Sequence, residues 1–188
     1  SEMDQTTGNV TYFYNDDNLT PNKGTLHNPR LLYNADSMES EIINQTATTN
    51  LNVTNYRLIS DISYSEFEGH SALYNVKFAG VFEGNGMRIS NISLVSMEDL
   101  ESAGLFAQIG NSASKTGSVK NLFISPKAVS FNNADSVGIL AGTIKYGYIY
   151  DITTDEIQGF SSTVTGLKFV GGIFGRAVSS FEIKDIYS

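Results

Sequence analysis

The chain carries two histidines and no cysteine. A zinc peptidase helix needs two histidines four residues apart with a glutamate beside the first, and His27 and His70 stand far apart, so that chemistry is excluded. Without cysteine there is neither a disulfide framework nor a thiolate metal site. No Gly-x-Ser-x-Gly elbow presents a nucleophile. Gly84-x-Gly86 is not followed by a helical pattern, which excludes a phosphate loop. Asn15-Asp16-Asp17-Asn18 lacks the alternating oxygens and the glycine of a calcium loop and reads as a solvated turn. We therefore expect no metal and no cofactor. The sharpest enzymatic arrangement is a carboxylate pair, because Asp151 and Asp185 occupy like positions in successive repeats. If those repeats stack, the two carboxyls lie about 5 Å apart, near the separation used by retaining glycosidases. Asn91 and Asn121 hold the same position without ionising, so a backbone role is the preferred reading.

A second group of side chains is suited to contact. With Ile149 facing inward, Tyr146, Tyr148 and Tyr150 share the outward side of one strand, where other repeats carry Arg88 and Ser90, Ser118 and Lys120, or Glu182 and Lys184. Tyrosine offers a large, stiff, amphipathic surface that stacks on sugar rings or docks on protein. These three are the candidate ligand-binding residues.

Both groups depend on repeats for their placement. Ile59-Ser60-Asp61-Ile62, Ile89-Ser90-Asn91-Ile92, Val119-Lys120-Asn121-Leu122, Ile149-Tyr150-Asp151-Ile152 and Ile183-Lys184-Asp185-Ile186 follow one tetrad pattern, with steps of 30, 30, 30 and 34 residues. Gly80, Gly104, Gly138 and Gly172 each precede two apolar residues, with steps of 24, 34 and 34. Apolar residues three apart break the two-residue alternation of a straight strand, so the chain bends inside each tetrad. Asn or Asp suits the bend by tolerating unusual backbone angles. About 30 residues per repeat, cut into short strands by bends, predicts one coil of a parallel β-helix. Four to five coils spaced about 4.8 Å apart give a rod roughly 20 Å long.

Composition agrees with this class. Asn, Ser, Thr, Gly and Tyr dominate over helix formers, which favours short strands and turns. Twelve basic against twenty acidic residues leave a net charge of −8, which repels phosphate backbones and anionic lipid. No apolar run reaches the roughly 18 residues of a membrane helix. Residues 1–50 read as a separate N-terminal part: a strand over Val10 to Tyr14, turns through Pro21, Gly24 and Pro29, then a short helix. Asp36 with Glu39 resembles a capping box, and Met38, Ile42 and Ile43 form an apolar stripe ending near Asn44. Such a helix would cap the open end of the repeats in residues 51–188.

Gly172-Ile173-Phe174-Gly175, Gly138-Ile139-Leu140-Ala141-Gly142, Gly104-Leu105-Phe106-Ala107 and Phe82-Glu83-Gly84-Asn85-Gly86-Met87-Arg88-Ile89 resemble the GLUG-motif repeats of bacterial surface proteins. Asn28-Pro29-Arg30-Leu31-Leu32-Tyr33 and Tyr56 to Ile62 resemble the run into such repeats, so the resemblance covers about residues 24 to 188. It implies adhesins, or the β-helical region preceding immunoglobulin-A-cleaving metallopeptidases. The expectation is an all-β chain, a right-handed parallel β-helix with an N-terminal cap, acting as a non-catalytic adhesin module. It would be extracellular or at the cell surface, its bacterial-type secretion leader already removed. The partner would be protein or glycan on another surface. The alternatives are a filament subunit joined to copies of itself by strand addition, and a polysaccharide-degrading β-helix enzyme. Nucleic acid and membrane insertion are not expected.

Overall fold

The computed structural model describes residues 2–3, 10–11, 23–154 and 164–187. Strands β1 (Glu2–Met3) and β2 (Val10–Thr11) form a short antiparallel pair. The expected strand through Tyr14 and the turn at Asn15 to Asn18 otherwise lie outside the described residues. The rest is a parallel solenoid. Its first pass is β3 (Arg30–Leu32), helix α1 (Ala35–Asn44) and β4 (Leu51–Asn52). The second is β5 (Tyr56–Leu58), β6 (Ile62–Ser63), a 3-10 turn at Leu73–Asn75 and β7 (Lys77–Phe78). Then follow β8 (Val81–Val95), β9 (Leu100–Ala103) and β10 (Phe106–Ile109), and β11 (Gly117–Ser130), β12 (Ala134–Val137) and β13 (Ala141–Thr154). The last described strands are β14 (Val164–Thr165), β15 (Phe169–Val170) and β16 (Phe174–Tyr187).

The long strands β8, β11, β13 and β16 turn corners while staying paired, so each turn has four short faces. In one turn, Gly117 to Lys120 lies on the first face and Leu122 to Ser130, bent again at Pro126, on the second. Ala134–Val137 forms the third, and Ala141 to Lys145 the fourth, before Gly147 regains the first. Among the described residues only β9, β12 and β15 build the third face, so the solenoid has about three complete turns. The tetrad count of four to five includes an early pass in which the 3-10 turn stands where later turns carry a strand.

Alternation on each face sends one set of side chains inward, and register stacks them. Tyr56, Phe82, Val119, Ile149 and Ile183 form one column, and Phe78, Ile109, Ile144 and Ala177 another. Ile62, Ile89 and Ile124 line the second face. All of these except Ile183 and Ala177 of the last turn are fully buried. Asn52 interrupts the Phe78 column but is satisfied, donating to Ile42 O at 3.0 Å and Tyr56 Oη at 2.8 Å.

The corners need left-handed backbone. Asn85, Asn121, Asp151 and Asp185 have φ of 55°, 55°, 54° and 53°, and side chains that bond locally make Asn and Asp the residues that pay least for it. Register places Asn121, Asp151 and Asp185 in one column, as the tetrads predicted. Asn91 and Asp61 do not belong to it. Ser90 pairs with Ser125 and Ile92 with Pro126, so Asn91 stands one corner further on. Ile62 pairs with Ile89, which sets Asp61 level with Arg88, and its Oδ1 accepts from Arg88 N at 2.8 Å. Ile59, expected inside, is 48% exposed. The opposite corner is left-handed at Gly110, Tyr146 and Ser179. Gly110 alone among these lies directly against the Lys145 and Tyr146 carbonyls, where a Cβ has no room.

Helix α1 caps the N-terminal end, with a different cap from the one predicted. Asn34 is the N-cap: its Oδ1 accepts from Ser37 N at 2.8 Å, and Ser37 Oγ accepts from Asn34 N at 3.1 Å. Asp36 lies in the first turn, where its charge favours the helix dipole. Met38 and Ile42 are fully buried, whereas Ile43 is 41% exposed. Glu39, taken from sequence as a capping partner, instead reaches into the second pass. Its carboxylate accepts from Tyr64 Oη at 2.8 Å and Ala72 N at 3.0 Å.

Burial raises the Glu39 carboxyl above its ordinary 4.5, outweighing the opposing hydrogen bonds from Ser71, Ala72 and Tyr64. The folded state therefore holds this proton more tightly than the unfolded chain does. The stability it contributes is complete below about pH 4.5 and is lost as pH rises through the raised value. Glu39→Gln, neutral at every pH, should gain on the wild type between pH 4 and pH 8 in paired urea titrations. A difference in stability that stays constant over that range would disprove the assignment.

Candidate functional site: the outer first face

Five paired parallel strands bring residues remote in sequence into axial rows on the first face. One row runs Arg57, Glu83, Lys120, Tyr150, Lys184, and the next runs Val81, Ser118, Tyr148, Glu182. At the spacing of neighbouring strands the first row is about 19 Å long. Lys120 Nζ lies 3.5 Å from Glu83 Oε2, and Asn121 Nδ2 donates to Glu83 Oε1 at 3.0 Å. Arg57 donates to Asn85 Oδ1 at 3.1 Å. At the upper end, Tyr150 Oη donates to Glu182 Oε1 at 3.0 Å, and Lys184 Nζ lies 2.7 Å from the same oxygen. Lys184, then Tyr150, holds the Glu182 carboxyl below its usual range, and Glu182 raises Lys184 in return. Partial desolvation and then Glu182 push the Tyr150 phenol upward. At the lower end, Leu26, Pro29 and Asn55 enclose a shallow groove of about 140 Å³ against Arg57, Val81 and Glu83.

This arrangement is a rigid strip of alternating charge with two aromatic rings set in it. Tyr148 and Tyr150 share the strip, each half-buried by its neighbours. Tyr146 does not join them. Its φ of 54° makes it the corner residue between the two halves of β13, and the register shift between Lys145 and Gly147 interrupts the alternation that would have aligned it. The expected equivalents Arg88 and Ser90 are likewise replaced by Val81 and Glu83, because Gly84-Asn85-Gly86 adds residues at the corner of β8. Glu83 was not singled out by sequence for this reason.

Asp151 and Asp185 sit on adjacent rungs, both exposed and both left-handed. Asn121 and Asn85 adopt the same conformation at that corner, so the position asks for a backbone shape that Asn supplies as well as Asp. His27 and His70 are exposed loop residues. Among the described residues, no three His, Asp or Glu side chains are grouped to hold a metal ion, and no helix is long and apolar enough to cross a membrane.

No family model matches the chain, and no solved structure matches it. The chain is similar to halomucin of Haloquadratum walsbyi, with 31% identity over 164 residues, or 81% of this chain. It spans only about 2% of the length of that relative.

Proposed function

We propose that this chain is a non-catalytic module of the cell exterior, a right-handed β-helix whose outer first face binds protein or glycan on another surface. The observation that carries the reading is the axial strip itself. Parallel register fixes Tyr148, Tyr150, Glu182 and Lys184 in relative position before any partner arrives, so binding costs little ordering of side chains. The likeness to a short stretch of the far longer halomucin supports the idea of one module among many. The left-handed corner role of Asp151 and Asp185 supports display over polysaccharide cleavage. The filament reading draws on the last turn, where Phe169, Val170 and Phe181 are 47%, 45% and 47% exposed. Strand addition along a polymer needs two open ends, and α1 covers one, which favours display.

The test is a glycan and matrix-protein array. Replacing both Tyr148 and Tyr150 with Ser should weaken the bound partner at least about 30-fold, the effect of losing an aromatic hot spot. Tyr146→Ser, at the corner, should leave it unchanged. Equal signals from wild type and the double variant would retire the first face as the contact surface.

A further inference from the structure

We infer that a crevice on the second face, around the Asn121 corner from Tyr148 and Tyr150, is a binding site for a single sugar residue bearing a carboxylate. Its outer wall is the loop between Tyr64 and Ser71, and its floor is β8 and β11. The loop is pinned at both ends: Tyr64 N donates to Ser90 O at 2.9 Å, and Ser71 N to Ser93 O at 3.0 Å. Those anchors flank Asn91, which opens into the crevice. Asn91 is left-handed, with φ of 58°, and turns β8 at a bend of its own, outside the column of Asn121, Asp151 and Asp185. Opposite Asn91, β11 is irregular on both sides of Pro126, and such bulges re-aim side chains. Here the exposed residue delivered is Lys127, which also lines the crevice.

The lining chemistry selects the ligand. Phe67 is half-buried and meets Tyr64 edge-on at 5.1 Å, giving a stiff aromatic wall held in place because Tyr64 Oη is bonded to Glu39. An aromatic wall takes the apolar face of a pyranose. Ser65, Ser93 and the Asn91 amide supply donors and acceptors for hydroxyls. Lys127 is the one charged residue in the lining, and among the described residues no ion pair or hydrogen bond engages its ammonium. Among the described residues that line the crevice none is acidic, the exposed Glu66 and Glu68 of the same loop standing outside the lining, although the chain as a whole carries −8. A ligand carboxylate here would gain a charge-assisted bond. The volume, about 230 Å³, falls below the roughly 300–1,000 Å³ of sites that bury drug-sized ligands. One ring fits, and an oligomer would have to leave across the rim.

The experiment is amide NMR on the ¹⁵N-labelled full chain, titrated separately with methyl glucuronide, methyl galacturonide, methyl glucoside and acetate. At least one uronide should move the amides of residues 65–69, 91–93 and 127 saturably, with half-saturation at about 10 mM or below. The neutral glucoside should bind at least five-fold more weakly, and Lys127→Gln should abolish that preference while leaving the rest of the spectrum in place. Absence of shifts with both uronides overturns the assignment. So do shifts centred on Tyr148, equal binding of glucoside and uronide, or acetate alone reproducing the pattern. An unchanged preference in Lys127→Gln overturns it as well. Shifts centred on Tyr148 would move the ligand to the first face; the other results leave the tyrosine array, which tests that face, untouched.

Discussion

Gly138→Ala should destabilise the fold by about 3 kcal/mol, at the upper end of what overpacking costs, while Gly172→Ala should fall within about 0.5 kcal/mol of the wild type. Both glycines open the same sequence motif, and composition gives no reason to separate them. A methyl at Gly138 would press on Phe174 Cα of the overlying turn and stand 2.5 Å from Ala141 O and 2.6 Å from Ile173 O. These are backbone atoms and cannot rotate aside as a side-chain tip would. Gly104 meets the same obstacle one turn lower, with Gly138 O at 2.5 Å and Ala141 Cα at 2.8 Å. At Gly172 nothing lies within 4 Å, because no described turn overlies it. Urea unfolding of the three Ala variants gives the answer directly. Equal losses at 138 and 172 would mean that the glycine serves its own corner and not the passage of the next turn, removing the explanation of the motif.

The same contrast shows what sequence can and cannot say about a solenoid. The tetrads at 119, 149 and 183 were legible because bends in a stacked ladder demand both an apolar spacing of three and a left-handed residue, and few residue types meet the second demand. The tetrads at 59 and 89 matched by coincidence. True steps between stacked first-face residues are 26 from Tyr56 to Phe82, 37 to Val119, 30 to Ile149 and 34 to Ile183. The even spacing of 30 thus joined two different corners, and only hydrogen-bond register exposes the slip. Insertions between faces cost little in a surface loop, so they accumulate and erase the period. The strip on the first face suffered most. Glu83 entered it through the added residues of Gly84-Asn85-Gly86, and Tyr146 left it because a tyrosine, a poor left-handed residue by type, occupies a corner. The capping helix was legible in its position and buried face, but the identity of its N-cap was not, since Asn34, Asp36 and Ser37 are all competent caps.

Phe78→Ala should cost about 3–5 kcal/mol, the loss expected when a fully buried phenylalanine leaves a cavity that cannot close. Phe78 stacks on Phe106 at 4.9 Å with 18° between the rings, meets Phe82 edge-on at 6.2 Å, and lies 6.1 Å from Tyr56. Each neighbour is held on a strand whose register is set by the turns above and below, so none can advance into the space without breaking a ladder. The cost extends downward as well. Phe78 is in register with Asn52, whose amide joins Tyr56 to the Ile42 carbonyl of α1, so a void at 78 loosens one of the polar links between cap and core. The variant should therefore lose amide-exchange protection in α1 and β4 before the upper turns, with a melting temperature lower by about 10 °C. Phe169→Ala, at 47% exposure on the last turn, serves as the control and should cost under about 1 kcal/mol. A loss at Phe78 as small as that at Phe169, or exchange that rises evenly along the solenoid, would show that the aromatic cluster does not couple the cap to the stack.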